Sequence, residues 1–455
     1  MFADRARLAA LLDDEARLFS ELHPESERLW RAAYPHLAEG VPMLWMLKWP
    51  GGWPIHVASA SGAHITDVDG IDYVDLCLGD TGAMSGHAMP ESVAALTAQL
   101  GRGSTFMLPT ADAATASRLL AERFGLPRWQ FTLSATDANR HVLRYARAVT
   151  GRPKVLVIDH CYHGTVDEAY ATLDADGAVV PRRGNIGPPV PLDATTVVVP
   201  FNDVPALERA LRTIEVAAVL IEPALTNIGI VLPDDGWHDA LRDLCDETGT
   251  LLVIDETHTL CAGPGGMTAR DGLQPDAVVV GKTIAGGVPA GAWGMSTAFA
   301  DLVHTFLDPE GEGMEDIDVG GVGGTLAANA LSMAGIAATL GEVLTPEVFP
   351  GMIDRATEWT SGVQGVLDEF RMPWQVTQLG CRGEYSFRPT APHDGREAAE
   401  ADDFELQQFL HLFALNRGVL MTPFHNMALM SPATTSADVD RHTTMFRDAV
   451  VALVG

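Results

Sequence analysis

The strongest pattern in the chain is a set of short apolar runs, each closed by a polar or small residue. They are "QFTLS" at 130–134, "KVLVID" at 154–159, "TTVVVPF" at 195–201, "AAVLIEP" at 217–223, "TLLVIDE" at 250–256 and "DAVVVG" at 276–281. Valine and isoleucine runs without alternation predict strands buried on both faces. Between them, 136–149 and 236–248 repeat apolar residues at helical spacing. Strands alternating with helices predict an α/β fold: a mainly parallel central sheet with helices on both faces.

The pattern changes on either side of that block. The first residues, "MFADRARLAALLDDEARLF", mix acids and arginines through apolar positions, which predicts an amphipathic helix rather than a signal peptide. The introduction ends in the aromatic "MLWMLKWPGGWP". In 62–80, Asp69-Gly70 between β-prone flanks predicts a hairpin. Beyond about residue 330 come long helical patterns and isolated strands such as "RGEYSFRP" and "RGVLMTP". The expected organisation is a large α/β domain over 76–329, a smaller α+β domain over 330–455, and an N-terminal segment, 1–75, packed with the small domain.

Composition narrows the partners. At 455 residues the chain can bury a large core. Its net charge of −30 argues against nucleic acid and anionic membranes. No apolar run reaches the roughly 18 residues of a membrane span. The five cysteines are odd in number and widely spaced, which fits reduced thiols in a cytoplasmic protein.

Candidate chemistry collects after the strands, because ligands of open α/β sheets bind beyond the carboxyl ends of the strands. After the first run comes Ser134-Ala135-Thr136 at a helix start, either a cap or an anion site. After the second comes "DHCYHG", with Tyr162 and His163. Glu222 follows the fourth, and Asp255, Glu256, Thr257 and His258 follow the fifth. His160, Cys161 and His163 lack a further ligand cluster, so no metal is expected. The last run ends in Gly281 and Lys282. The chain has three lysines against 27 arginines, so this ammonium is not an interchangeable positive charge. "GKT" at 281–283 is not a P-loop, since valines stand where its glycines belong. What lysine alone offers is a primary amine that condenses with an aldehyde. With a buried carboxylate, an aromatic face and an anion cup, that is what pyridoxal phosphate requires.

These residues resemble the class III aminotransferases of PLP fold type I, and across 120–260 their glutamate-1-semialdehyde aminomutase-like members most. The resemblance rests on "LLVIDETHT", "PDAVVVGKTIAGGVPAG", "CYHG", "GGTLAANALSMAGIAATL", "DVDGIDYVDL" and "SGHAMP". It implies Lys282 as the internal-aldimine lysine and acid/base, and Asp255 on the pyridine nitrogen. Tyr162 would stack on the ring, beside His163. Ser134, Ala135 and Thr136 would bind the phosphate, and Glu222 would support from the sheet edge. Thr325 would reach the phosphate of a neighbouring subunit, which implies a homodimer with active sites at the subunit interface. The chain departs from the family pattern at Ala135, where glycine is common, and at Thr257-His258. There Thr257 would lie under the ring, and His258 would donate to the cofactor's phenolic oxygen.

The implied activity is ping-pong transfer of an amino group from an amine or amino acid to a keto acid, ketone or aldehyde. The alternatives are an aminomutase or racemase on the same scaffold and, more distantly, a non-catalytic binding protein. For the substrate, Trp45 and Trp53 would line a pocket entrance or pack in a core. Arg382 would clamp a carboxylate or pair with Glu384. His425 lies in the C-terminal domain, whose loops reach the site in this family.

Overall fold

A computed structural model describes residues 4–311, 313, 319 and 321–455. The chain divides into two compact units. One comprises 90–346 with 392–399; the other comprises 1–89, 347–391 and 400–455. The divisions after 89 and 346 lie beyond the cuts expected after 75 and 329.

The first unit is built on seven strands: β1 (Arg128–Thr132), β2 (Lys154–Ile158), β3 (Thr196–Val199), β4 (Val216–Ile221), β5 (Leu251–Asp255), β6 (Ala277–Gly281) and β7 (Gly291–Met295). Their order is β1-β7-β6-β5-β4-β2-β3. All run parallel except β7, which is antiparallel to both neighbours. Every residue of β4 to β7 is buried, as unbroken apolar runs require of a sheet covered on both faces. Helices α1 (Ala135–Thr150) and α2 (Trp237–Thr248) match the predicted helical periods to within a residue.

Two features differ from the sequence expectation. The first strand spans 128–132 rather than 130–134, because Ser134 turns out of the ladder and caps α1, accepting from the Asp137 N–H at 3.2 Å. Strand β7, "GAWGM", was not expected at all, since its two glycines weaken the strand signal. They are there for close approach. A Cβ on Gly291 would lie 2.4 Å from the backbone carbonyl of Ser134, so the absence of a side chain lets the start of α1 press on the sheet.

The second unit holds the helices Arg5–Leu22 and Pro24–Ala33 and the hairpin His64–Asp67/Asp72–Asp75. Val419–Leu420 adds in parallel to the hairpin's second strand. Gln375–Leu379, Arg382–Ser386 and Met427–Leu429 form a separate antiparallel sheet against the long helix Phe349–Glu369. Among the described residues no helix is long and apolar enough to cross a membrane. All five cysteines are free and buried.

Gly291→Ala should lower stability by about 2–3 kcal/mol, the upper part of the overpacking range. Gly351→Ala, in a helix with open space around its Cα, should be neutral or stabilising. Thermal melts of the two variants check this; equal midpoints would contradict the close packing of β7 on α1.

Candidate active site

Parallel register brings the chemistry to one edge. Asp255, the last residue of β5, pairs with Val279 of β6, so β6 runs only two residues further before Lys282. Gly281 lies against the first residue of α1: a Cβ there would meet both the nitrogen and the Cβ of Ala135 at 3.0 Å. Lys282 and the Ser134–Thr136 turn are therefore neighbours.

Asp255 is buried, and a buried carboxylate is costly unless it is paired and fully hydrogen-bonded. Three elements supply the donors. His163, on the turn after β2, gives Nδ1–H to Oδ2 at 3.0 Å; Asn139, on the buried face of α1, gives Nδ2–H to the same oxygen at 2.9 Å. The Thr257 N–H reaches Oδ1 at 3.0 Å. Burial pushes the Asp255 carboxyl up, but His163, Thr257 and Asn139 outweigh it and hold the group below the usual aspartate range. Burial likewise opposes a charge on His163, while Cys161 and Asp255 raise it well above the usual imidazole value. Both shifts favour the charged form of the pair, imidazolium beside carboxylate.

Alternation along the strand sends the next carboxylate to the other side. Glu256 accepts from the Thr268 N–H at 2.5 Å, Thr268 Oγ1 at 2.6 Å, the Met267 N–H at 3.1 Å and the Thr259 hydroxyl. Burial raises its carboxyl, with these donors pulling the other way. Its role is structural, anchoring the start of the short helix Gly266–Arg270.

The aromatic arm is held from behind. Glu222 Oε1 accepts the Tyr162 N–H at 3.1 Å and its other oxygen takes the Thr226 hydroxyl. Arg182 donates to the Cys161 carbonyl at 2.5 Å and to that of His160 at 3.3 Å. Thr136 Oγ1 accepts the Thr165 N–H at 3.3 Å, so α1 also grips this turn. Lys282 itself has a left-handed backbone, φ +53°, worth about 1–2 kcal/mol of strain for a residue with a Cβ. Its Nζ lies 2.7 Å from Nε2 of His258.

Ser134, Ala135, Thr136, Tyr162, His163, Glu222, Asp255, Thr257, His258 and Lys282 thus lie on one sheet edge and the adjoining turns. Thr325 lines a cavity with Thr132, Leu133 and Asp137 of its own chain, beside the start of α1. In the other unit, Arg382 pairs with Glu384 at 2.8 Å and Glu384 with His425 Nδ1 at 3.3 Å, all three buried. Trp45 packs on Phe424, next to His425, whereas Trp53 belongs to a separate cluster with Phe19 and Trp30. Among the described residues no group of three or more His, Cys, Asp and Glu is arranged for a metal ion.

Sequence reasoning missed Asn139, Glu256 as an anchor, and Arg182. Asn139 had a signal, being an amide within the apolar stripe Ala138, Val142, Leu143, Ala146 of α1. Arg182 had none, because its partners are backbone carbonyls 21 and 22 residues away.

The donor set fits pyridoxal phosphate. A carboxylate kept ionised suits a pyridine N–H, a primary amine suits an aldehyde, and the capped first turn of α1 suits a dianionic phosphate. Known proteins agree. The sequence model of a family described as "Aminotransferase class-III" matches residues 48–450. A crystal structure of a glutamate-1-semialdehyde aminomutase from Pseudomonas aeruginosa PAO1 is 48% identical, with a TM-score of 0.97 and full coverage of both chains. A second structure of that aminomutase is a complex with PMP. A glutamate-1-semialdehyde 2,1-aminomutase from Gemmatimonas aurantiaca is 33% identical over 88% of this chain and 90% of its own. An omega-transaminase from Sphaerobacter thermophilus is 29% identical, with a TM-score of 0.84 over 94% of this chain and 98% of its own.

The charged pair at the site sets a pH window. The lowered Asp255 contributes stability that is complete above the ordinary value near 3.9 and lost as pH falls through its folded value. The raised His163 contributes stability that is complete below about 6.5 and lost as pH rises through its folded value. The deficit in melting temperature of a His163→Gln variant should therefore be largest between about pH 4 and 6.5 and shrink on both sides. A deficit independent of pH would show that the pair is not charged.

Proposed function

The chain belongs to the class III aminotransferases, with PLP fold type I and pyridoxal phosphate as cofactor, and from that premise we propose that it is an aminomutase acting on glutamate-1-semialdehyde. The observation that carries the proposal is similarity to a glutamate-1-semialdehyde aminomutase at 48% identity, with full coverage of both chains. This moves the expected activity from intermolecular transfer to the alternative weighed beside it. The amino group shifts from C2 to C1 of the same carbon skeleton, giving 5-amino-4-oxopentanoate, and no second carbonyl substrate is consumed.

Pyridoxal phosphate supplies an aldehyde with which amines condense and a protonated ring that absorbs the electron pair left when a carbon–hydrogen bond is broken. The residues of this chain do the rest. Asp255, ionised by its three donors, would keep the proton on the ring nitrogen. The Ser134–Thr136 turn would hold the phosphate through backbone N–H groups, where the start of α1 favours an anion. Tyr162, with its backbone fixed by Glu222, would cover one face of the ring. Lys282 would hold the cofactor's aldehyde at rest and, once displaced by a substrate amine, its Nζ would carry protons to and from the two carbons between which the amino group moves. The proposal includes a homodimer in which Thr325 serves the partner's phosphate site.

Purified enzyme given glutamate-1-semialdehyde should form 5-amino-4-oxopentanoate at a rate that added pyruvate or 2-oxoglutarate does not change. Lys282→Arg should reduce turnover by about 10²–10⁴-fold, because arginine supplies neither the condensing amine nor the proton carrier. Product that forms only with a separate amino donor and a 2-oxo acid acceptor would establish intermolecular transfer instead.

A further inference from the structure

Helix α1 reaches a second segment besides its own first turn. Asp137, His141 and Arg144 stand at i, i+4 and i+7, on one face of the helix. All three meet the segment 321–325. Asp137 lines the cavity shared with Gly323, Gly324 and Thr325. The Arg144 guanidinium donates to the Gly321 carbonyl, and Nε2 of His141 accepts the Gly323 N–H at 3.3 Å.

The segment needs such holds. Gly321, Gly323 and Gly324 have open space where a side chain would stand, and the φ angles of Gly323 and Gly324 are +99° and +139°. Glycine loses more conformational freedom on ordering than any other residue, so contacts from outside must fix this backbone. The two holds differ in kind. Arginine stays charged at any working pH, so the Arg144 contact does not titrate. Histidine accepts an N–H at Nε2 only while neutral, with its hydrogen on Nδ1. The imidazolium carries a hydrogen on both nitrogens.

His141 is buried, which pushes its imidazole below the ordinary value; Asp137 opposes the shift, and Arg144 and Arg140 add to it. Of the elements packed on α1, strands β4, β6 and β7 carry no charged residue. Strand β1 carries Arg128, β5 carries Asp255, and the helix Thr297–Leu307 carries Asp301 and His304. The accepting form therefore holds at neutral pH and above, and is lost as pH falls from about 6.5 through the lowered value.

We propose that His141 is a positioning residue for cofactor binding: neutral, it fastens the 321–325 segment so that Thr325 is presented to a phosphate, and protonated, it releases the segment. The inference rests on the reading of Thr325 as a phosphate ligand, not on whether the amino group moves within one molecule or between two.

Two measurements test it: the affinity of cofactor-free protein for pyridoxal phosphate, read from visible absorption, and amide hydrogen exchange across 321–325 in the loaded enzyme. At about pH 8, His141→Ala should bind the cofactor about fivefold more weakly than the natural protein, and His141→Gln, whose side-chain oxygen accepts an N–H, should restore the affinity. Towards about pH 5 the natural protein should lose about fivefold more affinity than His141→Gln, which does not titrate. Its 321–325 amides should exchange about fivefold faster relative to those of the glutamine variant over the same range. Identical pH profiles for the natural protein and His141→Gln would overturn the proposal, and this comparison decides the matter if the alanine variant does not fold. Thr325→Val should weaken binding by about tenfold. Natural affinity in that variant would sink the phosphate reading of Thr325 and the proposal with it, whereas exchange that does not respond to pH would sink the role of His141 and leave Thr325 in place.

Discussion

A negative charge placed at the buried end of β5 is the constraint around which this site is organised. An isolated carboxylate there would take up a proton rather than stay charged. Keeping Asp255 ionised takes donors from the turn after β2, from α1 and from the chain just beyond β5 itself. The donors lie as far as 116 residues from Asp255 in sequence, and the carboxylate joins them. The same turn that supplies His163 carries Tyr162, and the same helix that supplies Asn139 starts at Ser134–Thr136. Satisfying one charge therefore positions Tyr162 and the Ser134–Thr136 turn as well.

Close packing transmits that arrangement to the lysine. Gly291 and Gly281 let the start of α1 sit directly on β7 and on the end of β6. The helix cannot shift without moving the turn that carries Lys282. The left-handed backbone at Lys282 is tolerated because this packing leaves the chain little choice, which is the usual condition under which such strain persists. Rigidity at this edge thus comes from the sheet and α1 rather than from the loops.

Most of the sheet, and the edge on which the candidate residues collect, were legible in the sequence, for a physical reason. A parallel sheet covered on both faces writes itself as valine and isoleucine runs, and the ends of those runs mark the ligand edge. Lys282 stood out because the chain otherwise uses arginine for positive charge. What could not be read was whatever depends on contact across the fold. Strand β7 hid because the property that matters, a missing Cβ at Gly291, also weakens its strand signal. Arg182 hid because it recognises backbone carbonyls, which every sequence has. The contact between His258 and Lys282 hid because residues 24 apart are brought together only when β5 and β6 pair.

Asp255 and Glu256 show how far residue identity alone can go. They are adjacent, both acidic and both buried, yet the environments push their carboxyl groups in opposite directions. The difference is the partner. Asp255 faces His163, whose hydrogen bond and favoured positive charge, with the Thr257 and Asn139 donors, outweigh the cost of burial. Glu256 has four donors from hydroxyl and backbone N–H groups, which satisfy its oxygens without a counter-charge. Strand parity assigns them to opposite sides of the sheet, so one faces His163 and Asn139 and the other anchors the start of the helix Gly266–Arg270. Exchanging the order of the two residues would conserve composition and charge while placing the shorter side chain where the anchor must reach Thr268 and the longer one against His163. The assignment is made by register, and the register is fixed by the apolar run before it.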